Sequence, residues 1–161
     1  MKLLTQKSKI MADIKFRTKA EGLNPTKTLV KARNFEIIVD EPQDLGGNDE
    51  GPNPVEYVLA AYAGCLNVMG HLIAKEMGFT LNGLKIDLAG SLNPARLFGQ
   101  SYEDRAGYKE IQVTLKPECD IDDETLDKWQ AAILDRCPVG DNLKNSTEII
   151  VDLKKTNSVE V

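Results

Sequence analysis

A chain of 161 residues suffices for one domain, or for two small lobes around one core, and 42% hydrophobic with 28% charged residues describes an ordinary water-soluble protein. A net charge of −5, from 25 acidic against 20 basic residues, excludes wide nucleic-acid or anionic-membrane surfaces. Three cysteines without a CxxC make no zinc site, and no metal or cofactor is expected.

Residues 1–12 read as a tail. Lys2, Lys7 and Lys9 flank only the apolar pair Leu3 and Leu4, which is too brief for a signal peptide. The expected compartment is the cytoplasm, where thiols stay reduced unless a cycling disulfide is part of the chemistry. Asp13–Thr18 and Thr28–Lys31 read as short strands joined through a Gly22-Leu23-Asn24-Pro25 turn. Arg33–Asp40 (RNFEIIVD) is a stronger strand, with β-branched residues at its centre. Glu41–Pro52 is a loop rich in Gly, Pro and Asp.

The dominant stretch follows, from Gly51 to Gly78. Asn53 is placed to cap a helix, Pro54 suits its first position, and Glu56 falls three residues after the cap, where its carboxylate reaches back to the cap's N–H. Gly78 provides the stop. Tyr57 to Ala74 carries no formal charge, which is marginal for crossing a bilayer. Asn67, His71, two glycines and several alanines favour a core helix, apolar nearly all round and buried on most sides. In its middle sits Cys65, beside Ala63 and Gly64.

Beyond Gly78 come a turn at Asn82-Gly83, a strand over Leu84–Ala89, a polar connection over Asn93–Gly107 and an alternating strand over Tyr108–Lys116. Asp120 or Asp122 caps a second helix reaching about Arg136, with Leu126, Trp129, Ile133 and Leu134 as its apolar stripe. It stops before Pro138, because the residue preceding a proline is pushed out of the helical region. Thr147–Leu153 reads as the last strand. Strands, long helix, strands, helix and strand make an α+β pattern.

The series DEP…LGG…GPNPVEYVLAAYAGC, followed much later by CPV, resembles the OsmC/Ohr superfamily, osmotically inducible protein C and organic hydroperoxide resistance protein. The likeness runs from about Phe35 to Val151. It implies a single OsmC-like domain over 1–161, with a long central helix wrapped by curved antiparallel sheets in a tightly interwoven homodimer. It also implies a thiol peroxidase acting on organic hydroperoxides, with active sites at the subunit interface. Its partners would be a small apolar hydroperoxide and a dithiol reductant of unspecified identity, and neither nucleic acid nor membrane. In that chemistry a thiolate attacks the peroxide to give a sulfenic acid, which a second thiol resolves to a disulfide. Cys65, on a rigid helix with small neighbours, suits the attacking role, and Cys137, at a helix end, suits the resolving one. The plain reading stays open beside this: a free cysteine is also a small buried hydrophobe. Cys119 matches nothing in the pattern and is read as structural.

A buried thiolate needs a positive neighbour. In the Ohr and OsmC branches an Arg from an N-terminal loop provides it, held by a Glu at the helix start. Here the Glu position falls on Val55 with the acid next door at Glu56, and the Arg position falls near Asn24. Glu56 in that place resembles the YhfA-like branch. The remaining cations are Arg33, at the head of its strand, and Arg17, while Arg136 is placed to serve Cys137. Arg33 is the first choice, against the alternative of a surface ion pair with Glu36 or Asp40. Glu56 precedes Cys65 by nine positions, half a turn round the helix, so it either caps its helix or faces a partner's site. His71 lies about 600° of rotation from Cys65 and is read as structural or surface. Asp44–Gly51 fails the calcium-loop spacing and reads as a solvated turn. Gly46-Gly47 opens no phosphate-cradling helix. Tyr57, Tyr62, Met69 and Phe79 line the neighbourhood of Cys65, either selecting an apolar hydroperoxide or serving as plain core or dimer interface. Two functions stand: a Cys65–Cys137 peroxidase, and a non-catalytic dimer binding a small apolar or thiol-reactive ligand.

Overall fold

The structure, a computed structural model, describes residues 12–155, so nearly all of the expected tail lies outside the described residues. The chain divides into two compact units, 1–56 and 57–161.

The first unit is a three-stranded antiparallel sheet, β1 (Lys19–Gly22), β2 (Thr28–Ala32) and β3 (Phe35–Val39), in the order β1-β2-β3. Asn24 shapes the first turn by accepting from the backbone N–H groups of Thr26 and Lys27. The first strand lies later than the sequence suggests. Lys19 pairs with Lys31, so Thr18 falls opposite Ala32, the last residue of β2, and the residues before Thr18 run past its end. Arg33 does not begin β3. It occupies the tight turn before it, at φ 58, a left-handed conformation that costs a non-glycine residue roughly 1 kcal/mol or more. After Val39 comes Asp40, fully buried, whose carboxylate accepts from the N–H groups of Glu41 (3.0 Å), Asn48 (3.1 Å) and Glu50 (3.3 Å). The acidic loop is thus wound around a carboxylate of the chain itself.

α1 (Pro54–Met77) starts as its sequence dictates. Asn53 Oδ1 accepts from Glu56 N (2.9 Å) and Glu56 Oε2 accepts from Asn53 N (2.8 Å), a reciprocal capping box with Pro54 at the first position. Gly78, at φ 82, ends it.

The second unit packs one stripe of α1 (Tyr62, Leu66, Met69, Gly70, Ile73, Ala74) with α2 (Asp123–Arg136) and with the hairpin of β4 (Gly83–Ser91) and β5 (Glu110–Glu118). α2 is capped by Asp122, which accepts from Thr125 N, and buries Trp129 and Ile133. Trp129 Nε1 donates to the Gly70 carbonyl at 2.9 Å, which ties α2 to α1. Glycine suits position 70, where a Cβ would stand 2.9 Å from Leu84 Cδ2 and 3.2 Å from Trp129 Cζ2 and make those side chains shift. Three expectations need correction. α1 is buried on a stripe and not on most sides: Val58, Val68 and Leu72 are exposed, because α2 and the hairpin cover a single face. Thr147–Leu153 forms no strand, having no strand partner among the described residues, and its Ile149, Ile150 and Val151 are exposed. A further helix, α3 (Pro138–Lys144), follows α2 directly.

Candidate active site

Cys65 lies well inside α1, partly buried, one turn beyond Tyr62 and next to the fully buried Leu66. Cys137 stands where α2 ends and α3 begins. Its ψ of 109 breaks the helical run, as the following proline requires, and Pro138 then opens α3. These two features of the chain, 72 positions apart, place Cys137 Sγ 2.9 Å from Cys65 Sγ. A covalent S–S bond is about 2.05 Å, so closure needs about 0.9 Å of movement. Cys137 is 1% exposed, and its sulfur accepts the Gly140 N–H at 3.3 Å. A Cβ at Gly140 would lie 3.1 Å from Tyr62 Cε2 and 3.5 Å from Cys137 Cβ, so glycine permits the close seating of α3 against α1.

Burial pushes the Cys65 thiol above its ordinary value, and the hydrogen bond with Cys137 adds to this, while the Val139 backbone N–H opposes it. Burial also pushes the Tyr62 phenol up, helped by the charges that Cys137 and Cys65 would carry. Tyr62 therefore remains a neutral hydroxyl beside the sulfurs. Among the described residues no lysine or arginine figures in the forces on Cys65. Arg136 does not serve Cys137. Its guanidinium is paired with Glu76, with Nη2–Oε1 at 3.0 Å, and that pairing holds the Glu76 carboxyl below the usual range.

Of the residues singled out by sequence, Cys65 and Cys137 meet. Glu56 is held in the capping box of α1. Arg33 is exposed in the β2–β3 turn with its guanidinium 5.0 Å from the centre of the Phe35 ring. The ion pairs anticipated for it are occupied otherwise: Glu36 is bound by Lys31, and Asp40 by backbone N–H groups. Arg17 precedes β1 outside any strand and is exposed, as is His71 on α1. Phe79 meets Trp129 edge to face at 6.4 Å, Met69 is in the core, and Cys119 packs against that core. Among the described residues no three His, Cys, Asp or Glu side chains converge as metal ligands. The sequence reading missed α3 and with it the Val139 and Gly140 N–H groups. Proline directly after Cys137, with Cys137 as its N-cap, was the available signal.

A family model described as OsmC-like protein matches residues 46–152, more than half the chain. The fold is similar to that of an OsmC like protein from Mycoplasma pneumoniae, at 19% identity and TM-score 0.72, covering 84% of this chain and 91% of that one. It is also similar to an organic hydroperoxide resistance protein OsmC, predicted redox protein, from Legionella pneumophila (20% identity, TM-score 0.60, 83% and 92% covered). A third similar structure is the organic hydroperoxide resistance protein OhrB of Bacillus subtilis (18% identity, TM-score 0.55, 83% and 93% covered). At such identities the likeness speaks for the fold. A comparison with curated protein sequences finds no match.

Proposed function

We propose, since the chain belongs to the OsmC-like protein family, that it is a thiol peroxidase reducing organic hydroperoxides through a Cys65–Cys137 disulfide cycle. The observation that carries this is the 2.9 Å approach of the two sulfurs from separate helices. The Cys65 thiolate attacks the terminal peroxide oxygen and the O–O bond breaks, so the alkoxide leaves and takes a proton as alcohol. Cys65 is left as sulfenic acid. The Cys137 thiol then attacks the Cys65 sulfur, water departs, and the disulfide forms. A dithiol gives up two electrons and two protons to restore both thiols.

The first step requires a thiolate, and the surroundings of Cys65 push its thiol up. The cycle therefore needs a cation from elsewhere in the assembled protein. We assign this to Arg33, in a homodimer. Support for Arg33 is that the carboxylates expected to pair with it are engaged elsewhere, Glu36 by Lys31 and Asp40 by backbone N–H groups. A guanidinium stays charged throughout and also donates to the leaving oxygen. Glu56 supports the site by fixing the start of the helix that bears Cys65. The named relatives, two of them organic hydroperoxide resistance proteins, support the substrate class.

The raised thiol favours a second reading, a non-catalytic dimer of the same fold that binds a small apolar or thiol-reactive ligand. Consumption of cumene hydroperoxide with dithiothreitol as reductant separates the two. Wild type turns over, Cys65→Ser is inert, and Arg33→Ala slows by tenfold or more, as loss of one oriented charged donor implies. Wild-type rate in Arg33→Ala excludes that residue. Wild type as inert as Cys65→Ser hands the fold to the binding reading.

A further inference from the structure

The two sulfurs of the site differ in access, and this bears on how the disulfide is opened. Cys137 is 1% exposed, its sulfur accepts the Gly140 N–H at the head of α3, and the Tyr62 ring stands close beside that glycine. Cys65 is only partly buried. A thiol that reduces a disulfide must approach one sulfur directly, and the other becomes the leaving group. Leaving-group stabilisation does not discriminate between them. The Gly140 N–H lies 3.3 Å from Cys137 Sγ, and the Val139 N–H is directed to Cys65. Access decides.

We propose that the reductant opens the Cys65–Cys137 disulfide at the Cys65 sulfur, with the buried Cys137 as the obligatory leaving group. This rests on the reading that the two cysteines form a disulfide. The incoming thiolate forms a bond to Cys65 Sγ. The Cys65–Cys137 bond breaks with its electron pair passing to Cys137 Sγ, which keeps the Gly140 N–H and takes a proton from solvent. The second thiol of the dithiol then attacks the reductant's own sulfur in the mixed disulfide. Cys65 is released as thiolate, and the reductant departs as its cyclic disulfide, oxidised by two electrons. The substrate class required is thus a slender dithiol that reaches the flank of α1.

The test forms the disulfide with diamide, so that it does not depend on peroxide chemistry. Oxidised wild-type protein is mixed briefly with N-acetylcysteine, quenched in acid, alkylated with N-ethylmaleimide and peptide-mapped. The expected earliest product carries N-acetylcysteine on Cys65 and maleimide on Cys137, in at least tenfold excess over the reverse. Equal labelling, an adduct chiefly on Cys137, or no Cys65–Cys137 bridge after diamide overturns the proposal. In Tyr62→Ala, which removes the ring beside Gly140, the Cys137 adduct share rises several-fold, and an unchanged share overturns the access argument. Cys65-selective opening in a protein that consumes no hydroperoxide leaves the proposal standing and removes the peroxidase reading.

Discussion

Closing the Cys65–Cys137 bond should stabilise the fold by about 4 kcal/mol, the loss of unfolded-chain freedom expected for a loop spanning 72 positions. Engineered bridges commonly deliver less, because the native backbone must distort to accommodate them. Here the sulfurs already stand 2.9 Å apart, and Cys137 is buried before the bond forms, so neither distortion nor fresh burial subtracts much. At a urea dependence of about 2 kcal/mol per molar, 4 kcal/mol moves the unfolding midpoint by about 2 M. The assay is urea denaturation of diamide-oxidised and dithiothreitol-reduced protein, at one protein concentration because association enters the equilibrium. Cys137→Ser carried through the same oxidation is the control and should not shift. Oxidised and reduced midpoints that coincide, or an oxidised form that unfolds first, would refute the reasoning by showing that the bond is made only at the expense of the surrounding packing.

Gly70→Ala sets a helix gain of about 1 kcal/mol against overpacking of roughly 1–3 kcal/mol on Leu84 and Trp129. The net is a loss of about 1 kcal/mol, and a urea midpoint at or above wild type contradicts it. Burial pushes the Asp40 carboxyl up, but the N–H donors of Glu50, Asn48 and Glu41, with Thr26, together hold it below the usual range. Its contribution is therefore complete above the unfolded value of about 3.9 and is lost as pH falls through the lowered folded value. Asp40→Asn should melt earlier than wild type at pH 7, with the gap narrowing below about pH 4; a gap independent of pH argues against the assignment. Because the hydrogen bond with Cys137 raises the Cys65 thiol, Cys137→Ala should move the pH midpoint of Cys65 alkylation downward, and an unmoved midpoint excludes that coupling. Sedimentation at micromolar concentration should show a dimer, given the apolar side chains open on α1; a folded, non-associating monomer sinks that expectation.

α1 was legible because its signals are local: the Asn53–Glu56 box, Pro54, and Gly78 at positive φ all act within one turn. So was α2, stopped by the proline after Cys137. What escaped depends on partners. β1 is set by where β2 ends and not by its own residues, and Thr147–Leu153 has strand-forming side chains without a strand to pair with among the described residues. Arg33 reads as part of a β-rich run, yet hairpin geometry puts it in the turn. The meeting of Cys65 and Cys137 has no local signal. It depends on Gly70 and Gly140, two residues whose contribution is the absence of a side chain. Only the resemblance to a family linked the two cysteines in advance.

Trp129 is the single tryptophan of the chain, fully buried, with its indole N–H on the Gly70 carbonyl of α1. It lies about two turns before Cys137 on the same helix. The protein thereby carries its own fluorophore at the joint between the two cysteine-bearing helices. Its emission wavelength reports whether that joint is dry, and any shift of α2 that accompanies making or breaking the sulfur bond is readable in real time, without a label.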